Sequence, residues 1–157
     1  MEEEDKGQLI WITGLPGSGK TTIAKKLVEY LKKKEGISPV FIDGDHIRDL
    51  FGNDLGHDMS DRLKNAYRIA QICQFLTNQG FTVICSTCSL FHEIHEFNRK
   101  MNLDYYEILL SIDSKTLIKR DQKNLYQGDA GNVWNKDQVP ELPKSPHLKL
   151  ENETPNI

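Results

Sequence analysis

Residues 14–22 read GLPGSGKTT, and this stretch decides the fold. It fits G-x-x-x-x-G-K-[ST] with Gly14, Gly19, Lys20 and Thr21 in register. An apolar run, LIWI at residues 9–12, leads directly into it, and a helical pattern follows directly after it. A loop in that setting wraps its backbone N–H groups around phosphate oxygens, and its glycines permit the close approach. The N-terminus of the following helix adds the positive end of a dipole. Gly14, Gly17, Ser18, Gly19, Lys20, Thr21 and Thr22 are therefore assigned to the phosphates of a nucleoside triphosphate. Lys20 is expected to reach the β- and γ-phosphates, and the Thr21 hydroxyl to sit on Mg²⁺.

Outward from this loop, strand and helix signals alternate, which predicts a parallel sheet with helices on its faces. The first strand is expected over residues 8–13, and a helix from about Lys20 carries Ile23, Ala24, Leu27, Val28 and Leu31 at helical spacing. The lysine run at residues 32–34 suits a helix C-terminus, which Gly36 ends. PVFI at residues 39–42 reads as a second strand and ends in Asp43-Gly44-Asp45, with a polar stretch beyond it. Ser60 and Asp61 are expected to cap a long helix to about Gln79. A buried strand over 81–85, a helix over 90–100 and a strand over 105–112 follow, then a helix capped by Asp113 or Ser114 that runs to about Arg120. Residues 122–146, rich in Gly and Pro, read as a lid-like loop, and 147–150 as a last short strand.

At 157 residues the chain is expected to form a single domain with a real core. A net charge of −3 argues against nucleic-acid binding, which favours a basic domain. No apolar run approaches the roughly 18 residues of a membrane span. The acidic start MEEEDKGQ has no signal-peptide core, and three cysteines give no disulfide framework, so a cytoplasmic address is expected.

Asp43 and Asp45 lie where open α/β sheets bind ligands, at the C-terminal end of a strand. One carboxylate there can hold water on a metal, while the other accepts a proton from an attacking hydroxyl. The alternative is a turn with a capping aspartate. Arg48, Arg62 and Arg68 supply cations, and Arg62, Asn65 and Arg68 fall broadly on one side of the long helix. Forked guanidinium groups suit an anionic substrate, although surface ion pairs with Asp49, Asp54, Asp58 and Asp61 would use the same residues.

GLPGSGKTT, DGDHIR, DRLKNAYR, the serine of STCSLF and RDQKNLY occur here in the order found in adenylylsulfate (APS) kinases, which the chain resembles over about residues 9–126. That family reads roughly GLSGSGKST, DGDxxR, DRxENxRR, a strand leading to serine-proline, and RDxKGLY. The resemblance implies a P-loop kinase fold and ATP-dependent phosphorylation of the 3′-hydroxyl of a nucleotide whose 5′ end carries a small anionic group. By position, it implies Asp45 as base or orienter for that hydroxyl and Asp43 as support for the Mg²⁺ water shell. It implies Arg48, Arg62 and Asn65 as holders of the 5′ phosphate end and the ribose. Ser89 matches the serine after the third strand, Lys123 the lysine of the lid motif, and Arg120 would lie near the adenine of ATP. A homodimer is in keeping with the family, though no interface signature stands out.

The chain departs from the family where the acceptor base is held. An LGF segment becomes Leu55-Gly56-His57, and the nearest match to an NFTG segment is Asn132-Val133-Trp134-Asn135. Serine-proline becomes Ser89-Leu90, KGLY becomes Lys123-Asn124-Leu125-Tyr126, and the PYE segment is replaced by Val139-Pro140-Glu141. Stacking is worth about 1–3 kcal/mol per base, so changing both aromatic walls is expected to change base preference. A different small-molecule acceptor nucleotide is expected, a pyrimidine such as a CDP-linked phosphoramidate with His57 at its base; His57 or Trp134 stacking on a purine is the alternative, which leaves adenylylsulfate open.

Two further patterns are set aside. Cys85, Cys88, His92 and His95 are zinc-ligand types, but they fall on a strand end, a turn and the next helix, and His92 and His95 are three apart rather than four. Asn135-Lys136-Asp137-Gln138 misses the N-K-x-D guanine motif at its last position, which removes the base-recognition element of a GTPase switch.

Overall fold

A computed structural model describes residues 5–112 and 138–152. Five strands form one sheet in the order β2-β3-β1-β4-β5, and every neighbouring pair is parallel. They are β1 (Gln8–Gly14), β2 (Val40–Asp43), β3 (Val83–Ser86), β4 (Asp104–Ser111) and β5 (Leu148–Glu151). Among the described residues four α-helices join β1 through β4: α1 (Lys20–Tyr30), α2 (Gly44–Leu50), α3 (Met59–Asn78) and α4 (His92–Met101). This is the alternating parallel architecture that the sequence predicts.

Period-two alternation along the strands splits the core into two layers. Leu9 and Trp11 of β1, Val83 and Cys85 of β3, and Tyr105 of β4 pack against Ile69, Ala70 and Cys73 of α3 and Ile94 of α4. Their neighbours Ile12, Ile84 and Leu110 face the other way, onto Ala24, Ile23, Leu27 and Val28 of α1. Helices therefore cover both faces, and the central strands read as continuous apolar runs because both of their sides are buried. Each fully buried aliphatic side chain contributes about 1.5–3 kcal/mol.

The termini of these elements place the site. α1 gives way to one π-helical turn, Leu31–Glu35, which carries the lysine run and stops at Gly36 with φ 64°. The polar stretch after β2 contains a short helix, α2, that hydrophobic periodicity does not announce in only seven residues. The cap of α3 is Asp58, whose side chain accepts from Asp61 N, rather than Ser60 or Asp61. Asp61 is otherwise engaged: its Oδ2 accepts from Gly56 N at 2.8 Å and closes the preceding loop.

The helix expected to end near Arg120, and most of the expected lid, lie outside the described residues. The trailing part of that loop is held down. Glu141 N donates to Leu90 O (3.0 Å), His92 Nε2 to Leu142 O (2.9 Å) and Arg99 Nη2 to Ser145 O (3.1 Å). Among the described residues no helix is long and apolar enough to cross a membrane.

Candidate active site

The C-terminal ends of β1, β2 and β3 lie side by side, with Ile12, Ser86 and Asp43 in register. Residues 14–22 leave the end of β1 and turn into α1. Gly14 is required by crowding: a Cβ there would stand 2.6 Å from Leu110 O and 2.9 Å from Ser18 Oγ. Gly19 is the N-cap of α1 at φ 95°, a left-handed conformation that suits glycine, and it offers no side-chain cap. The first N–H groups of α1 thus meet no capping side chain and are available to an anion. Across the loop, Leu15 O accepts from Ser18 N (3.2 Å) and from Lys20 Nζ (2.9 Å). The lysine is thereby held over the loop that it would serve. Thr22 sits half-buried in the first turn of α1, and Gly17 is exposed at φ 83°.

Thr21 Oγ1 donates to Asp43 Oδ2 at 3.3 Å, and this contact joins the two motifs. The other oxygen of the same carboxylate accepts from Asp45 N at 2.9 Å and caps α2. The capping reading of Asp43 holds, and the second oxygen of the same carboxylate stays beside the Thr21 hydroxyl. A hydroxyl and a carboxylate make a hard oxygen donor pair, which fits Mg²⁺. Asp45 is exposed in the first turn of α2. Gly44 between them is packed tightly, since a Cβ would come 2.8 Å from Thr87 Oγ1.

Thr87, which sequence reading passed over, continues the chain of contacts. Its Oγ1 lies 2.7 Å from Ser89 Oγ, and its backbone N–H donates to Ile12 O at 3.0 Å. Ser89 is buried at φ 38°, a conformation rare for serine, and its carbonyl accepts from Phe91 N at 2.9 Å. The family-matched serine is thus linked to the Asp43-Gly44-Asp45 turn through a single threonine. No local sequence signal marks Thr87, because its role depends on the packing of β3 beside β2.

Arg48 and Arg62 converge on one loop. Arg48 Nη1 donates to Leu55 O (3.2 Å) and Gly56 O (3.1 Å), and Arg62 Nε donates to His57 O (2.8 Å). Gln138 Nε2 reaches the same His57 carbonyl at 3.0 Å and ties the far end of the expected lid to this loop. His57 is exposed as a residue, yet partial burial of its ring is the first cause that lowers its pKa. The Arg48 and Arg62 charges lower it further, and Asp45 opposes them. The imidazole therefore holds its proton less tightly than a free one, within electrostatic reach of both arginines and Asp45. Asn65, one turn along α3 from Arg62, is buried, and its Oδ1 has no partner among the described residues.

Arg68 does not join this set. It makes a two-pronged pair with Asp54 at 3.0 and 2.9 Å and lies 4.1 Å above the Phe51 ring. The ion-pair reading holds for Arg68, while Arg48 donates to the Leu55 and Gly56 carbonyls and Arg62 to that of His57. Of the candidate zinc ligands, Cys85 is buried in β3 against the α3 layer, and His92 is turned to Glu141 and Leu142. Arg120, Lys123 and Trp134 lie outside the described residues.

A family model described as adenylylsulphate kinase matches residues 6–151. Cytidine diphosphoramidate kinase from Campylobacter jejuni is 45% identical over 118 residues, covering 75% of this chain and 68% of that protein. A probable adenylyl-sulfate kinase from Aeropyrum pernix is 35% identical over 161 residues, covering 98% of this chain and 87% of that protein. The structure of the Mycobacterium tuberculosis APS kinase in complex with AMPPNP and APS superposes with TM-score 0.84 at 31% identity, covering 95% of this chain and 90% of that one. With the phosphate loop, the Asp43-Gly44-Asp45 turn and the arginine-held loop arranged at one end of a parallel sheet, the chain belongs to the adenylylsulphate kinase family of P-loop kinases.

Proposed function

We propose that this chain transfers the γ-phosphoryl group of ATP to the ribose 3′-hydroxyl of cytidine diphosphoramidate. The observation that carries this reading is the match to a cytidine diphosphoramidate kinase at 45% identity, against 35% and 31% for the two APS-kinase relatives above. The site supports it in kind. The phosphate-handling residues follow the family pattern, while His57, whose pKa is lowered by burial and by the Arg48 and Arg62 charges, stands where the resemblance puts a phenylalanine.

In this mechanism the acceptor 3′-oxygen attacks the γ-phosphorus in line, an O–P bond forms, and the bond to the β,γ-bridging oxygen breaks, so that ADP leaves with the electron pair. Asp45 accepts the hydroxyl proton and passes it to solvent. Lys20 and the N–H groups at the start of α1 neutralise charge on the transferring group. Thr21 and Asp43 would hold Mg²⁺, which when bound would supply charge neutralisation of the triphosphate. Arg48, Arg62 and Asn65 hold the acceptor, so that catalysis is mostly positioning.

The test is to incubate the purified chain with ATP and Mg²⁺ and measure kcat/KM on cytidine diphosphoramidate and on adenylylsulfate. Higher kcat/KM on the cytidine compound is expected. A clear preference for adenylylsulfate would assign the chain to the acceptor named in the family model, and transfer to neither would remove both. Asp45→Asn should lose most turnover while ATP affinity stays within a few-fold; unchanged turnover would refute the role given to Asp45.

A further inference from the structure

Asn152 lies one residue beyond the end of β5 and is only 5% exposed. Two hydrogen bonds account for its placement. Its backbone N–H donates to Ser111 O at the end of β4 at 2.9 Å, and its side-chain Nδ2 donates to Ser18 O at 2.8 Å. Ser18 belongs to the phosphate loop, is fully buried, and stands 134 positions earlier in the chain. The first bond anchors Asn152 to the sheet, so the second ties the phosphate loop to the sheet's far side.

The consequence follows from peptide geometry. A trans peptide is planar, and its C=O and N–H point in opposite directions. Fixing the Ser18 carbonyl toward β5 therefore fixes the Gly19 N–H away from it. Gly19 is the N-cap of α1, in a left-handed conformation at φ 95° and ψ 17°, with no side-chain cap to steady it. Glycine has wide conformational freedom, so the orientation of this peptide has to be imposed from outside. Ser18 N–H, bonded to Leu15 O, fixes the peptide before it but not this one.

We infer that Asn152 is a positioning residue for nucleotide binding: it holds the Ser18–Gly19 peptide so that the Gly19 amide is presented to the β-phosphate. The inference rests on residues 14–22 being the ATP phosphate loop. It places one determinant of triphosphate affinity at the C-terminal end of β5, outside every motif that marks the family.

The experiment compares the wild-type chain with N152L, which removes the donor but keeps an apolar side chain of similar size. Affinity for Mg²⁺-ADP is measured by calorimetry, affinity for AMP, which lacks the β-phosphate, by competition, and the Gly19 amide by its ¹⁵N-resolved shift on adding Mg²⁺-ADP. The loss of one presented donor to a charged phosphate predicts ADP binding roughly tenfold weaker. AMP affinity should change less than twofold, and the Gly19 shift should shrink. Should N152L lose its thermal transition, the smaller N152A is read in the same way. Equal weakening of ADP and AMP would mean a general structural role and would overturn the inference, as would unchanged ADP affinity with an unchanged Gly19 shift. A wild-type chain that does not bind Mg²⁺-ADP would instead overturn the phosphate-loop reading beneath it.

Discussion

Asp43 serves two masters in this structure, and two substitutions separate them. Oδ1 caps α2 through Asp45 N at 2.9 Å, and Oδ2 accepts from Thr21 Oγ1 at 3.3 Å. Asp43→Ala removes both bonds. Loss of an N-cap costs about 0.5–2 kcal/mol, and for a domain of 157 residues each kcal/mol moves Tm by about 2–4 °C. A Tm lowered by about 1–8 °C follows. Asp43→Asn keeps an oxygen at the capping position, and asparagine caps as well as aspartate does. The amide nitrogen can also donate to the Thr21 hydroxyl, so that contact survives with its roles reversed. Only the charge beside the Thr21 hydroxyl, proposed above as a Mg²⁺ holder, is lost, which is worth on the order of 10²-fold in turnover at a preorganised electrostatic site. Thermal unfolding without ligands and Mg²⁺-dependent phosphoryl transfer are measured on all three proteins. D43N should melt within about 1 °C of wild type, since the cap is kept, while its turnover falls as far as that of D43A. If D43N is as unstable as D43A, the capping geometry does not explain the side chain. If D43N retains full turnover, the carboxylate has no electrostatic role.

Two further outcomes follow from the same structure. His95 of α4 is 5% exposed, and neither ring nitrogen has a partner of normal hydrogen-bond geometry among the described residues. Burial first, then the His92 and Arg99 charges, lower its pKa from 6.5 to about 4, against opposing pulls from the Ser89 backbone and Glu141. The unfolded chain binds a proton at His95 below about pH 6.5 that the folded chain refuses, so this site's contribution is complete above that pH and is lost as pH falls toward 4. The loss reaches roughly 3 kcal/mol at most. Urea unfolding at pH 7.5, 6 and 5 should show that decline in wild type and a flatter profile in H95F, and identical slopes would remove His95 as the cause. Arg68 pairs with Asp54 and stacks on Phe51, whereas Arg62 is held at the His57 loop. R62A should therefore raise KM for the acceptor nucleotide by tenfold or more, against less than twofold for R68A. Equal effects would mean that both arginines face the acceptor.

Much of the fold could be read from short-range chemistry. The phosphate loop, its strand and its helix are contiguous, so their pattern is complete in the sequence. The apolar runs of β1 and β3 announce strands because both faces of a central parallel strand are buried. α2 escaped that reading because seven residues are too few to show a helical period, and its cap is the same aspartate that contacts Thr21. The α3 cap shifted from Asp61 to Asp58 because Gly56 N competes for the Asp61 carboxylate, a contact that propensity does not encode. Spacing alone does not separate Arg62 from Arg68 on α3; their contacts do, with Arg48 and Arg62 at the Leu55–His57 loop and Arg68 at Asp54.

By itself, then, the sequence determined the phosphate loop, the placing of Asp43 and Asp45 at the end of β2 and the parallel α/β class, because each depends on residues that are neighbours along the chain. The tertiary structure decided what joins them. It brought Thr21 to Asp43, Thr87 to Gly44 and Ser89, two arginines to the carbonyls beside His57, and Asn152 across the sheet to the Ser18 carbonyl. These contacts span up to 134 positions. Their partners are set by strand order and register, which place the ends of β1, β2 and β3 side by side and β5 against β4. Hydrogen bonds between residues so far apart in the chain leave no local pattern to read, because each depends on where the whole sheet carries its two ends.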